Sequence, residues 1–214
     1  MGPSPRQNFF PGGLYLILDP AVAGSRPLEE IARQALRQGI RTFQLRVKTP
    51  ETGVLYELAS RLAPVIQAAG GMVIINDRCD VALAVGADGV HLGQEDLPVA
   101  EARALMGPQR IIGLSTHTLA QALEAEAEGA DYLGFGPIFP SSTKSNPEPV
   151  VGIEQLREVR SRVGLPIVAI GGINAGNIRA VFDAGSEAPA VLSAVLAAPD
   201  PVRAIADLMT ALQA

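Results

Sequence analysis

A (β/α)8 barrel of the α/β class (a TIM barrel), formed by a single domain, is the fold that we expect for this 214-residue chain. Short apolar runs alternate with helical patterns from one end to the other, and no linker or low-complexity tract interrupts them. Several of the runs are apolar throughout, which is typical of parallel strands buried on both faces. Eight such units match the small end of the size range of this barrel. A doubly wound open sheet is the alternative, because counting units does not prove closure.

The predicted strands are the apolar runs. They cover Leu14–Leu18, Thr42–Val47, Met72–Ile75, Gly89–Leu92, Arg110–Leu114, Tyr132–Phe135, Ile167–Ile170 and Ala190–Leu192. The helical patterns cover Leu28–Gln38, Gly53–Ala69, Cys79–Val85, Val99–Leu105, Leu119–Glu128, Ile153–Arg162, Asn177–Ala184 and Pro201–Leu212. Residues 1–13 are polar and rich in proline and glycine, so we expect a flexible N-terminal arm there and the barrel over residues 14–214.

Composition excludes several classes of protein. With 48% hydrophobic residues the chain can bury enough apolar surface to exclude intrinsic disorder. A net charge of −5 argues against general affinity for nucleic acid or anionic membranes. The single cysteine excludes an intramolecular disulfide and a cysteine-rich zinc module. Because no signal segment or spanning stretch is present, we expect a soluble cytoplasmic protein.

Basic and amide side chains follow the second predicted strand. Strand alternation would put Gln44, Arg46 and Lys48 on one side, as donors directed at one place. An arginine can bind two phosphate oxygens at once, and a lysine adds a mobile charge. We therefore predict an anion site, with a solvated strand face as the alternative.

Two carboxylates follow the third and fourth strands, at Asp77 and Asp96. Strand ends of a barrel meet at one face, and Mg²⁺ commonly takes one or two protein carboxylates together with phosphate oxygens and water. The pair beside the basic residues predicts a magnesium site. Helix N-capping is the alternative interpretation for each of the two.

Two further segments suggest phosphate binding. Residues 136–147 form a long loop with proline, hydroxyl residues and a lysine, which resembles a lid over a phosphate, with a plain surface loop as the alternative. Gly171-Gly172 and Ser193 follow the seventh and eighth strands, where barrels often bind phosphate, with simple turn chemistry as the alternative. His91 lies inside a strand, so we expect it to be packed and hydrogen-bonded.

Four motifs in order resemble the thiamine-phosphate synthase family, barrel enzymes that join the pyrimidine and thiazole halves of thiamine. They are Gln-Leu-Arg-Val-Lys at 44–48, Ile-Asn-Asp-Arg at 75–78, Asp-Gly-Val-His-Leu-Gly-Gln-Glu-Asp at 88–96 and Gly-Pro-Ile-Phe-Pro-Ser-Ser-Thr-Lys at 136–144. The resemblance covers nearly the whole chain.

The resemblance assigns roles residue by residue. Those implied for the pyrimidine diphosphate are Gln44, Arg46, Lys48, Asn76, Ser115 and Lys144. Those implied for the thiazole phosphate are Ser141, Thr143, Gly172, Leu192 and Ser193. Catalysis would rest on Arg46, Lys48, Ser115 and Lys144. Mg²⁺ would be bound by Asp77 and Asp96, and a homodimer is plausible for the family.

The implied reaction is a dissociative substitution at the pyrimidine methylene carbon, in which diphosphate leaves and the thiazole nitrogen attacks. It needs stabilisation of the leaving group more than a base, because the attacking nitrogen carries no proton. A thiazole tautomerase and a non-catalytic sensor of thiazole phosphate or thiamine phosphate are the alternatives. The stretch Ser186–Ala190 departs from the family pattern, and its Pro189, which cannot donate to a strand ladder, precedes the strand that would position Leu192 and Ser193.

Overall fold

The computed structural model describes residues 13–48, 52–140 and 149–213, which form eight parallel strands and the helices that connect them. The strands are β1 (Tyr15–Leu18), β2 (Thr42–Leu45), β3 (Met72–Asn76), β4 (Gly89–Leu92), β5 (Ile111–Thr116), β6 (Tyr132–Phe135), β7 (Ile167–Ala169) and β8 (Ala190–Val191). The helices are α1 (Pro20–Ala23), α2 (Leu28–Arg37), α3 (Thr52–Ala68), α4 (Cys79–Ala84), α5 (Val99–Met106), α6 (Leu119–Ala127), α7 (Gly152–Arg162), α8 (Ile178–Asp183), α9 (Ser193–Leu196) and α10 (Pro201–Gln213). Within these ranges, no helix is long and apolar enough to cross a membrane.

The strands lie side by side in chain order from β1 to β7, and β1 also pairs with β8. Every pair is parallel, as in Tyr15 opposite Thr42 and Thr42 opposite Met72. A doubly wound sheet would reverse its strand order, so this order confirms the predicted barrel. Each predicted strand lies within two residues of the observed bounds, whereas the four-residue helices α1 and α9 were not predicted.

The seam between β7 and β8 differs from the other seven, because side chains make most of it. The backbone N–H of Glu187 donates to the carbonyl of Ile167 at 3.0 Å, and the Glu187 carboxylate accepts from the Ile167 N–H at 2.7 Å. The Ser186 hydroxyl donates to the Ile167 carbonyl at 3.0 Å and accepts from the Ala169 N–H at 3.1 Å. Two residues that precede β8 thus close the barrel.

Apolar side chains fill both the space between strands and helices and the interior of the barrel. Helix α2 buries Leu28, Ile31, Ala32, Ala35 and Leu36, a helical spacing that presents one face to the sheet. Glutamates in its first turn and an arginine in its last favour the helix through its dipole. The barrel interior has its own cluster, in which two tyrosines pack among aliphatic side chains.

Candidate active site

A cavity of about 140 Å³ opens at the carboxyl ends of the strands and is lined by residues from all parts of the barrel. Seven of the predicted site residues line it. They are Gln44, Arg46, Asn76, Ser115, Gly172, Leu192 and Ser193. Ser141, Thr143 and Lys144 lie outside the described residues, so the structure does not place the lid part of the prediction.

The Arg46 side chain is held at this cavity by Asp19. Its Nη1 forms an ion pair with Asp19 Oδ2, while Asp19 Oδ1 accepts from the Ala21 N–H at 2.9 Å and thereby caps α1. Asp19 is only 1% exposed, so the pair is fixed rather than solvated. Within the described residues the guanidinium has no other hydrogen bond, so its other four N–H groups can bind an anion. Sequence reasoning missed Asp19, although it follows β1 as directly as the predicted residues follow their strands.

The prediction that Gln44, Arg46 and Lys48 share one side by strand alternation is wrong for Lys48, because β2 ends at Leu45. Gln44 and Arg46 do face the same cavity. Lys48 instead lines a neighbouring cavity of about 300 Å³ and pairs with Asp77, with Nζ 2.5 Å from Oδ2. Backbone that has left the strand no longer alternates, so the donors separate into two places.

Lys48, Asp77 and Asp96 form a charged rim beside the main cavity. Asp77 has φ of 63°, the one non-glycine residue in the described ranges with a left-handed backbone. Asp96 Oδ2 accepts from the Gly93 N–H at 2.6 Å. Burial raises the pKa of Asp96, and the neighbouring Asp77 carboxylate raises it further. The Asp77 carboxylate is therefore close enough to disfavour the charged form of Asp96.

The capping alternative for these carboxylates is wrong. Helix α4 has Arg78 at its N-cap position and α5 has Pro98, and neither helix receives a side-chain cap. Within the described residues no group of three or more His, Cys, Asp or Glu is placed to hold a metal. Two carboxylates without a third protein ligand suit an ion that completes its shell with phosphate and water.

Below the cavity, five side chains form a chain of hydrogen bonds across the barrel, which we name the floor relay. In order they are Gln44, Tyr15, Tyr132, His91 and Ser115. Gln44 Nε2 donates to the Tyr15 hydroxyl at 3.0 Å, and the two tyrosine hydroxyls are 3.0 Å apart. The Tyr132 hydroxyl lies 2.8 Å from His91 Nδ1, and His91 Nε2 lies 2.9 Å from Ser115 Oγ. The prediction that His91 is packed and hydrogen-bonded is confirmed.

Two glycines make room for the rings of this relay. A Cβ at Gly113 would lie 2.1 Å from Tyr132 Cζ, and one at Gly134 would lie 2.7 Å from His91 Cε1. Neither position could carry a side chain without displacing a ring. Tyr15 and Tyr132 escaped sequence reasoning because a tyrosine in an apolar strand looks the same whether its hydroxyl is used or not.

His117 is a second cavity residue that sequence reasoning did not assign. Its Nδ1 lies 2.5 Å from the Gly136 carbonyl, and its backbone N–H donates to Gln121 Oε1 at 2.8 Å. Since a carbonyl only accepts, Nδ1 carries the proton and Nε2 is left for a ligand.

Comparison with known proteins places the chain in a family. The sequence matches the family described as thiamine monophosphate synthase over residues 14–195. The chain belongs to that family. The thiamine-phosphate synthase of Desulfitobacterium hafniense is 42% identical over 196 residues, which are 92% of this chain and 95% of that protein. The thiamine-phosphate synthase of Shouchella clausii is 44% identical over 203 residues, which are 95% and 97% of the two chains.

A solved structure of the thiamine monophosphate synthase family shows the same barrel. The thiamine phosphate pyrophosphorylase of Pyrococcus furiosus has a TM-score of 0.84 at 41% identity, over 94% of this chain and 95% of that one. The orotidine 5′-phosphate decarboxylase of Pyrococcus horikoshii, at 15% identity and a TM-score of 0.68, shares the fold alone.

The stretch before β8 departs from the family pattern, but the carboxyl end of β8 still lies at the cavity. Pro189 directly precedes β8, and its carbonyl accepts from the Tyr15 N–H at 3.1 Å. Leu192 and Ser193 line the cavity at the start of α9. The first N–H groups of a helix have no carbonyl within it to bond, so this turn offers donors to a ligand.

Gly171 and Gly172 are required for close packing of the chain, in addition to any role in binding a ligand. Their φ values are 102° and 63°, and a Cβ at Gly172 would lie 2.5 Å from the Pro140 carbonyl oxygen. The start of the loop after β6 therefore packs directly against this turn. Turn geometry, the alternative to phosphate binding, is thus part of the reason for the two glycines.

Proposed function

We propose that this chain is a thiamine-phosphate synthase, which condenses 4-amino-2-methyl-5-hydroxymethylpyrimidine diphosphate with 4-methyl-5-(2-phosphoethyl)thiazole to give thiamine phosphate and diphosphate. The observation that carries the proposal is the meeting of Arg46, Asn76 and Ser115 at one cavity beside the charged rim. Each comes from a different strand end, as a substrate that spans the barrel mouth requires. Family membership supports the same reaction.

The reaction breaks the bond between the methylene carbon and the diphosphate oxygen and then forms a bond from that carbon to the thiazole nitrogen. No proton moves, so no general base is required. Arg46 and Ser115 would donate hydrogen bonds to the departing diphosphate, with Lys48 and Lys144 adding positive charge. Asp19 holds Arg46 in place before substrate arrives, which lowers the cost of ordering that side chain.

The proposal includes Mg²⁺ at Asp77 and Asp96. Two close carboxylates and one lysine give the rim a net negative charge, which would repel a diphosphate. A bound divalent cation would reverse that sign and would stabilise the charge of the leaving group. The all-oxygen donor pair fits Mg²⁺ better than zinc or copper.

Further parts of the proposal rest on the family resemblance. Gly172, Leu192 and Ser193, with Ser141 and Thr143 from the lid, would bind the thiazole phosphate, and Gln44 would contact the pyrimidine. A cytoplasmic location and a homodimer also stay predictions.

The test mixes the purified protein with both substrates and Mg²⁺ and measures thiamine phosphate and diphosphate. We expect both products in equal amounts, and Arg46→Gln should lower kcat/KM by about 100-fold or more, as for loss of a donor to developing charge. Arg41→Gln is the matched control, because Arg41 lies at the opposite end of β2 and binds backbone carbonyls there. Tight binding of the thiazole phosphate without any product would overturn the proposal and favour a sensor.

A further inference from the structure

The floor relay joins two residues that line opposite parts of the same cavity. Gln44 ends the relay on β2 and Ser115 ends it on β5, and both belong to the predicted binding set. The three residues between them, Tyr15, Tyr132 and His91, are buried at 1%, 0% and 8% exposure. A buried chain of this kind can control which atoms its two ends present to a ligand.

The Gln44 end favours one direction of hydrogen bonding along the relay. Gln44 Nε2 can only donate, so the Tyr15 hydroxyl accepts there. The order consistent with that start is the one in which Tyr15 donates to Tyr132 and Tyr132 donates to His91 Nδ1. That order would place the His91 proton on Nε2, directed at Ser115 Oγ. The proton of Ser115 would then point to the cavity.

Several features show that this relay is built into the barrel rather than incidental. Burial raises the pKa of Tyr15 and Tyr132 well above the usual value of a tyrosine, so both hydroxyls keep their protons. The absent side chains of Gly113 and Gly134 leave the space that the Tyr132 and His91 rings occupy. The rings of His91 and Tyr132 are also in contact, with centroids 5.4 Å apart.

We propose that Tyr132 and His91 are positioning residues that direct the Ser115 hydroxyl proton into the cavity as a donor to an anionic oxygen. At the other end the same relay uses the amide nitrogen of Gln44 and leaves its carbonyl oxygen as an acceptor. The cavity floor is thereby polarised before substrate binds, with a donor on the β5 side and an acceptor on the β2 side. The part played by Ser115 in turnover rests on the proposed function, whereas the polarity of the relay does not.

The polarity can be measured directly in the ligand-free protein, because the chain has only two histidines. Long-range proton–nitrogen NMR of ¹⁵N-labelled protein distinguishes the two neutral tautomers of each ring. We expect the Nε2–H tautomer for His91 and the opposite one, Nδ1–H, for His117, which bonds the Gly136 carbonyl. In Tyr132→Phe the His91 signals should shift toward a mixture while those of His117 stay unchanged. An Nδ1–H tautomer for His91 in the unmodified chain would overturn the proposal.

Kinetics then test whether the relay acts through Ser115. Tyr132→Phe should lower kcat/KM about tenfold, the effect of one lost hydrogen bond in a polar network. In a Ser115→Ala background the same change should have no further effect, since coupled residues are not additive. Equal losses in both backgrounds would show a general structural effect and contradict the proposal. Thr116→Val is the matched control, because it removes a buried hydroxyl of β5 that bonds the Gly134 carbonyl outside the relay.

A second pair of variants covers the case in which Tyr132→Phe does not fold. His91→Gln keeps an amide N–H that can reach Ser115, whereas His91→Phe keeps the ring but no nitrogen. We expect the glutamine variant to retain much more activity than the phenylalanine variant, and equal activity would contradict the proposal. If the unmodified chain forms no thiamine phosphate, the proposed function fails while the tautomer measurement still decides the polarity of the relay.

Discussion

The side chains of the cavity floor and of the cavity rim are held in place by different kinds of interaction. The floor relay is buried and contains no carboxylate, lysine or arginine, and each of its members is held by a hydrogen bond to the next. The rim is charged, and Lys48 is half exposed where it pairs with Asp77. A buried hydrogen-bonded network is shielded from salt, whereas a charged exposed pair responds to pH, salt and metal. Under the proposed function, the floor would orient the substrate and the rim would supply charge when it arrives.

The largest effect should come from neutralising the rim. Asp77→Asn combined with Asp96→Asn should lower activity at saturating Mg²⁺ by about 1000-fold or more, because the sign reversal at the diphosphate is lost. The same variant should show no Mg²⁺-dependent rise in its thermal unfolding midpoint. Asp80→Asn is the matched control, since that carboxylate pairs with Arg78 at an exposed position three residues from Asp77. Full activity with retained Mg²⁺ dependence in the double variant would refute the metal role and the functional contrast between rim and floor.

An intermediate effect should come from overfilling the floor. Gly113→Ala would place a Cβ 2.1 Å from the Tyr132 ring, and we expect it to lower the free energy of unfolding by about 1–3 kcal/mol. Activity should fall as well, since the ring cannot stay in place. Urea unfolding followed by circular dichroism measures the first effect, and Gly53→Ala in the exposed first turn of α3 is the control with no neighbour within 4 Å. An unchanged unfolding midpoint for Gly113→Ala would mean that the floor is less rigid than its packing indicates.

The smallest effect concerns the pH dependence of the rim. Because its pKa is raised in the folded state, Asp96 favours folding at acid pH, and this contribution is lost as the pH rises through that raised pKa. In metal-free buffer Asp96→Asn should therefore raise the thermal midpoint slightly at pH 7 and not at pH 3. Addition of Mg²⁺ should reverse the order of the two proteins at pH 7. A lower midpoint for the variant at pH 7 without metal would contradict this expectation. It would show that the contacts of the Asp96 carboxylate stabilise the folded protein more than its repulsion by Asp77 destabilises it.

Most of the barrel could be predicted from sequence, because buried parallel strands leave continuous apolar runs that helical patterns separate. The short helices α1 and α9 could not, because four residues are too few to show a period. Strand-end position also located Arg46, Asp77 and Ser115, since barrels gather those ends at one face.

The partners of these residues could not be predicted, because pairs across the barrel have no signature along the chain. Asp19 and Arg46 are 27 residues apart, and Tyr15 and Tyr132 are 117 apart. Alternation failed at Lys48 because nothing in the local sequence marks Leu45 as the last residue of its strand. Strand-end position could thus predict part of the cavity lining, whereas Tyr15, His117 and the contacts that hold each group could not be predicted.

The seam between β7 and β8 has a consequence for association between molecules. Strand edges that lose their partner expose rows of N–H and C=O groups, which can pair with another chain. Here Ser186 and Glu187 cover the Ile167 and Ala169 edge with side chains, where the other seams use backbone ladders. Opening this seam would require the loss of few bonds and would create two such edges at once. These two polar residues therefore occupy strand-edge groups that another chain could otherwise pair with, as well as completing the fold.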